Sequence, residues 1–175
     1  MAKHAGKRRA QRKGSIVGAF AWRLIEMLES PAYRTLSLSG RRVIDRLEIE
    51  LAHHGGKSEE NGRLPCTYEH FKEYGIHDHA IGPAIREAVA LGFIEVTQQG
   101  CAGNAGFRRP TLYRITYRHA GPDKIVSDDW RRIKSLDEAE KVAAAARLDK
   151  PEPWRLKNKN PVAKTRHWGQ WRKPQ

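Results

Sequence analysis

Apolar residues fall at helical spacing in five stretches of this chain and cluster at strand spacing in three. Phe20, Leu24 and Leu28 recur every four residues and predict a helix over Ile16–Glu29. Ser30-Pro31 ends it, because Pro31 brings no amide hydrogen to the helical ladder and restricts the residue before it. Val43, Leu47 and Leu51, with Ile44 alongside, form the stripe of a second helix over Gly40–His54. Ser37 and Ser39 are both candidate caps for it, and Gly55-Gly56 is its stop. Asp45, Glu48 and Glu50 oppose Arg41, Arg42 and Arg46 along its outer surface, the pattern of a solvated face.

Arg63–Cys66 reads as a short strand after the polar loop Lys57–Gly62, and Thr67 caps a helix over Tyr68–Tyr74 that Gly75-Ile76 closes. The next helix runs over His79–Leu91 and stops at Gly92. Its Ile81, Ile85 and Ala88 share one face, flanked by Ala84 and Leu91, and are expected to bury against the Val43/Leu47/Leu51 stripe. The opposite face gathers His79, Gly82, Pro83, Arg86 and Ala90. In a helix interior Pro83 would cost on the order of 3 kcal/mol, so it is expected in the first turn, with the helix effectively starting near His79–Gly82. Phe93–Thr97 then reads as a strand and Leu112–Tyr117 as its return, joined by the glycine-bearing loop Gln98–Pro110. Further on, Ser135 and Glu138 have capping-box spacing ahead of an alanine-rich helix over Ala139–Arg147, ended by Asp149-Lys150-Pro151.

Charge sharpens the picture. The net charge of +13 sits in the two ends of the chain. Lys3, Lys7, Arg8, Arg9, Arg12 and Lys13 face no acid within the first fifteen residues, and residues 150–175 hold eight basic residues against Glu152 alone. The stretch between them is neutral. A neutral body with cationic arms suits a polyanion, since such arms release phosphate counterions and add affinity independent of base sequence. The C-terminal tail also carries Trp154, Trp168 and Trp171, side chains that stack on single-stranded bases or dock on a partner protein. No apolar run is long enough for a bilayer and the basic start lacks an apolar core and cleavage site, so neither membrane insertion nor secretion is expected. Cys66 and Cys101 fit no metal or redox spacing, and a cytoplasmic setting follows as the default. His70, His77 and His79 near Cys66 lack the paired spacing of zinc ligands. No nucleophile elbow, phosphate-binding loop or metalloprotease pattern occurs. The expectation is a protein without catalytic activity, cofactor or metal.

Helix, tight turn, helix and hairpin, in that order, is the arrangement of a winged helix-turn-helix. The fold class expected is mainly α with a small β-hairpin wing (α+β): a basic disordered arm over 1–14, the winged domain over 15–118, a linker plus helix over 119–149 and a basic disordered tail over 150–175. Duplex-facing candidates are His77 in the turn, His79, Gly82, Pro83 and Arg86 on the second helix, with Asn104, Arg108 and Arg109 in the wing. Arg86 is the one candidate for a guanine contact, worth roughly 1–3 kcal/mol of discrimination. Lys7, Arg8, Arg9, Arg12 and Lys13 are candidate phosphate contacts of the arm.

The runs Leu64-Pro-Cys-Thr-Tyr-Glu-His-Phe, Tyr74-Gly-Ile-His, Ala84-Ile-Arg-Glu-Ala-Val-Ala-Leu-Gly-Phe-Ile-Glu-Val-Thr-Gln-Gln-Gly and Thr111-Leu-Tyr-Arg-Ile-Thr-Tyr resemble bacterial winged helix-turn-helix proteins, including winged domains of plasmid and phage replication proteins. The resemblance covers about residues 31 to 118. It implies double-stranded DNA binding, with His79–Ala90 as reading helix and Gln98–Arg109 as wing, in a transcriptional regulator or a replication or maintenance factor of a mobile element, cytoplasmic and nucleoid-associated. Gly82-Pro83 departs from the polar side chains that relatives often carry there, which argues against tight base reading. Two other classes stand beside it: an RNA- or ribosome-associated basic protein, and a protein-interaction adaptor built on the same fold. Homodimerisation through Ile16–Glu29 or the alanine-rich helix has no long heptad behind it.

Overall fold

Ser30 ends one helix and opens the next. The computed structural model describes residues 18, 20–101, 109–123 and 125–149. Its first helix, α1 (Ile25–Glu29), is followed directly by α2 (Pro31–Thr35). The Ser30 side chain accepts from the Tyr33 amide at 3.2 Å, and Pro31 takes the first helical position, where no amide hydrogen is needed. The stop signal at Ser30-Pro31 is thus also a start.

The helix predicted over Ile16–Glu29 is the largest correction. Leu24 is extended, and Phe20 and Leu24 stay half exposed at 49% and 54%. Residues 20–24 instead lie as a strap against the third helix, α3 (Leu38–His53), because the Arg23 guanidinium bonds Asp45 of that helix and reaches the Tyr33 hydroxyl at 3.4 Å. Met27 does the burying here. Of the two candidate caps for α3, Ser37 takes the role, accepting from the Gly40 amide at 3.0 Å.

The Val43, Ile44, Leu47 and Leu51 stripe of α3 is buried, as its spacing predicts. Its acids depart from the solvated-face expectation. Glu50 is buried and pairs with Arg46 at 2.7 Å and His54 at 3.3 Å, while buried Glu48 lies 3.8 Å from Arg118. Beyond α3 come β1 (Leu64–Cys66), α4 (Tyr68–Glu73), α5 (Asp78–Ala90), β2 (Ile94–Gln98) and β3 (Thr111–Ile115). The three strands form one antiparallel sheet in the order β1-β3-β2, with Leu64 opposite Tyr113 and Ile94 opposite Ile115. Buried Asn61 fastens the end of β3. Its Nδ2 donates to the carbonyls of Ile115, Arg118 and His119 at 2.9–3.1 Å, and its Oδ1 accepts from the Ile115 amide at 2.8 Å.

The chain therefore mixes six α-helices with a small three-stranded sheet among the described residues. None of these helices is long and apolar enough to cross a membrane. Residues 119–149, which the sequence presents as linker plus helix, feed the same core as the preceding elements. Trp130 in a 3-10 turn (Asp129–Arg132), Ile133, and Ala139 and Ala143 of α6 (Leu136–Leu148) are all buried in it. The Ser135 cap of α6 forms as spaced, accepting from the Glu138 amide at 3.2 Å, while the Glu138 carboxylate accepts from Lys134 rather than Ser135.

Gly92 shows how closely the 3-10 turn is docked. It has a φ of +80°, and a Cβ there would lie 2.6 Å from the Asp129 carbonyl carbon. Gly92→Ala is expected to lower the free energy of unfolding by more than the roughly 1–3 kcal/mol of a strained left-handed residue, since the Trp130 turn must also move. Urea denaturation checks this; an unchanged midpoint would show the turn to be free to shift.

Candidate nucleic-acid interface

The turn between α4 and α5 is fixed from beneath. Gly75 has a φ of +87°, Ile76 is buried, and the Arg42 guanidinium of α3 donates to the Gly75 carbonyl at 2.6 Å. From this anchored turn α5 buries Ile81, Ala84, Ile85, Ala88 and Leu91, the residues its periodicity selects, and packs on α3. Pro83 is where sequence reasoning fails. The helix begins at Asp78, so Pro83 lies beyond the first turn, inside the helix. The bond it cannot donate to the His79 carbonyl is given up in the half of α5 that precedes its longest buried run, and packing keeps the helix continuous.

The sequence-predicted surface residues separate into two groups. His77 and His79 are exposed at the start of α5, their rings stacked at 5.8 Å between centroids and 12° between planes. Between them stands exposed Asp78, 3.6 Å from the Lys72 ammonium, which also reaches Glu69 at 3.4 Å. The hydrogen bond to Glu69 and the nearby charge of Asp78 raise the Lys72 pKa. This end of the surface thus sets one ammonium against two carboxylates beside two imidazoles, and is not a cationic patch.

Gly82, Pro83 and Arg86 behave differently. Gly82 was expected to let a duplex backbone approach. Its open side is instead filled by the protein: a Cβ there would lie 3.2 Å from Arg86 Nη1 and 3.3 Å from the Tyr68 hydroxyl of α4. Arg86 was expected to point outward as a base reader. It is half-buried, and its guanidinium donates to the carbonyls of Ala146 (3.0 Å) and Arg147 (3.1 Å). These are among the last carbonyls of α6, which have no partner within their own helix. A cation at that position also meets the negative end of the helix dipole, worth typically 0.3–1 kcal/mol. Arg86 is therefore a cap for α6, and its role as outward donor is corrected.

Its neighbour Glu87 carries more. It is fully buried. The carboxylate accepts from the Ser37 amide at 3.0 Å and the Ser37 hydroxyl at 2.5 Å, and it faces the Arg147 guanidinium at 3.4 Å. Sequence reasoning missed it, although its position between Ala84 and Leu91 places an acid on the buried stripe. Such an acid needs a partner, and that was the available signal.

The hairpin stem is better ordered than a thirteen-residue loop over Gln98–Pro110 implies. The strands shift register between Val96 and Gln98, and pairing resumes at Cys101 and Arg109, which exchange amide-to-carbonyl bonds of 3.0 and 3.2 Å. A Cβ on Gly100 would meet the Thr111 amide at 2.7 Å, so the glycine serves this close pairing. Arg109 is exposed at the stem. Asn104 and Arg108 of the wing, and Lys7, Arg8, Arg9, Arg12 and Lys13 of the arm, lie outside the described residues.

Cys66 belongs to the core, at 1% exposure, and among the described residues no three His, Cys, Asp or Glu side chains gather as metal ligands. Burial pushes its thiol up to about 12, whereas Cys101 is exposed. Cys66 is thus held as the unreactive thiol at pH 8. Iodoacetamide is therefore expected to modify Cys101 alone in the native protein and both cysteines in urea. Mass spectrometry reads the sites, and equal native labelling would contradict the burial. Compared with family models, curated proteins and solved structures, the chain has no match in any of the three.

Proposed function

We propose that this chain is a double-stranded DNA-binding protein of the winged helix type, acting in transcriptional regulation or in replication or maintenance of a mobile element. The observation that carries the reading is the order α3, β1, α4, α5, β2, β3 with the central strand β3 between β1 and β2. In that order a helix after a tight turn and a β-hairpin are the two projecting elements. In this reading His77 and His79 at the exposed start of α5 donate to the duplex, and Arg109 with the adjoining wing follows the phosphates. With Arg86 committed to α6, base discrimination is weak, and most affinity comes from the cationic arms through counterion release.

One feature favours a second reading, an adaptor that binds protein. The exposed start of α5 mixes Asp78, Glu69 and Lys72 with the histidines and has no net cationic character. Phosphates gain little from such a surface, whereas a protein partner of mixed charge fits it.

A salt titration of the full chain on a fluorescent duplex separates the two. For DNA binding, log K is expected to fall linearly with log salt, with a slope of about −0.9 per phosphate neutralised. Replacing Lys7, Arg8, Arg9, Arg12 and Lys13 by Gln is expected to make that slope shallower by up to about 4.5. Absence of duplex affinity at low salt, or affinity indifferent to salt, would leave the adaptor reading. A much tighter hold on structured RNA than on duplex DNA would move the protein to the RNA-binding class.

A further inference from the structure

Two cavities, of about 890 and 910 Å³, adjoin the strap of residues 20–24 and share Trp22, Arg23, Gly56 and Arg118 in their walls. Each is of the size that takes a small molecule, about 300–1,000 Å³. The first runs against Leu51, Tyr117 and Val126. The second runs against Ile49, Tyr74 and Glu48. Phe20 and Trp22 overhang the second, their rings 5.2 Å apart between centroids, and Trp22 is 67% exposed.

The polar atoms where the cavities adjoin are the informative part. Arg23 lines both cavities, Glu48 one and Tyr117 the other, and each has an atom that is buried and unpaired: Nε of Arg23, Oε1 of Glu48 and the Tyr117 hydroxyl. The hydroxyl lies beside both Glu48 and Arg23 without a well-formed hydrogen bond to either. Burial above all, and then the charge of Glu48, keeps the phenol protonated. The remaining atoms are spent. Arg23 bonds Asp45 and reaches Tyr33, and Glu48 Oε2 lies 3.8 Å from Arg118. Buried polar atoms are nearly always paired, so three unpaired ones in one cluster point to a partner from outside the chain. A water molecule can pair such atoms, but it makes no use of the aromatic wall.

The chemistry of that partner follows from what is left over. Asp45 and Glu48 balance Arg23 and Arg118, and further out exposed Lys57 and Glu59 also cancel. A ligand with net charge would upset this balance. The unpaired set is one donor, one acceptor and one hydroxyl that serves as either. A flat ring suits the walls, because Trp22 stands open for stacking. The three atoms are closed off from solvent, so a ligand reaches them by displacing the strap. The strap is tied to α3 through Arg23, while Phe20, Trp22 and Leu24 are already exposed, and its displacement uncovers little new apolar surface.

We propose that the strap and the cavities beside it form a binding site for a small, neutral, planar heteroaromatic molecule with a donor and an acceptor side by side, the chemistry of an aromatic carboxamide or a nucleobase. Arg23 Nε donates to it, Glu48 Oε1 accepts from it, the Tyr117 hydroxyl takes the remaining position and Trp22 stacks on the ring. The site is independent of the duplex reading above.

The test is a titration of the full ¹⁵N-labelled chain followed by NMR at the Trp22 indole and the Arg23 Nε–H. Nicotinamide and adenosine are the neutral probes, one for each source of the chemistry, and benzoate and benzylamine are the charged ones. Saturable shifts at both signals are expected with at least one neutral probe, and binding at least about tenfold weaker with both charged probes. Tyr117→Phe is expected to weaken the neutral probe by about threefold or more while keeping the unfolding midpoint, since the lost hydroxyl makes no bond in the free protein. Should the midpoint fall, Trp22→Ala, at an exposed side chain, carries the same expectation. No saturable shift with either neutral probe up to about 20 mM would overturn the site and leave water as the partner of the three atoms. Equal affinity for the charged probes would overturn it too, as would an affinity indifferent to the variant.

Discussion

A buried carboxylate holds this structure together. Glu87 has no exposure, and a carboxylate stripped of water is costly unless fully partnered. Its partners come from two directions. Ser37 offers an amide and a hydroxyl from the start of α3, Arg147 offers a guanidinium from the end of α6, and Glu87 itself sits in the last turn of α5. The same Ser37 oxygen that donates to Glu87 also accepts from the Gly40 amide and so caps α3. Gly40 is held to glycine by this arrangement, since a Cβ there would stand 3.1 Å from Glu87 Oε2 and 3.0 Å from Leu36. One acid thus couples the start of α3 to the last turns of α5 and α6. Removing one partner of such a set leaves the others buried and unpaired, which is why it acts as a constraint rather than as one bond among many.

Two further devices work on the same logic at the end of β3 and just after α5. Asn61 spends both amide hydrogens and its oxygen on the backbone after β3, so the turn needs no regular strand to satisfy it. Gly92 lets the chain carrying Trp130 approach the end of α5 to backbone contact. Together they bring residues 116–149 back over α5 and α2, and α6 is the result. On α5, what α6 leaves open is the first turn, with His77 and His79 exposed there.

The core of this arrangement was legible because apolar spacing is a local signal. Val43, Leu47 and Leu51, and Ile81, Ile85 and Ala88, lie inward as their periodicity demands, and the caps at Ser37, Thr67 and Ser135 are made by residues whose side chains compete well for an amide. The failures are all nonlocal. Phe20, Leu24 and Leu28 have helical spacing, but Arg23 found Asp45 twenty-two residues away and the strap stayed extended. Arg86 has the position of a base reader, but its partners are sixty residues further on, at carbonyls that no sequence pattern marks. Propensity places Pro83 in a first turn, and packing on both sides of it carries the helix through. Propensity describes what a segment does alone, and each of these segments is settled by contact with another.

Charge and shape are divided in this protein, and the division bears on what it can recognise. Between residues 16 and 149 the acids and bases cancel, and many of them are paired with each other: Arg46 with Glu50, Arg114 with Glu95, Lys72 with Glu69 and Asp78. A body of this kind contributes shape and a few donors, but little long-range attraction. The surplus positive charge lies in the terminal stretches of the sequence, and on the proposed reading those cations would gain by counterion release and carry no base information. Affinity and discrimination are therefore assigned to different parts of the chain. On that reading, the exposed donors proposed among the described residues are two imidazoles at the start of α5 and Arg109 at the hairpin stem, and the discriminating part is small. On the proposed reading, a protein so divided would bind many duplex sites with similar strength and respond steeply to ionic strength, and its preference would come from groove shape and DNA deformability more than from base edges.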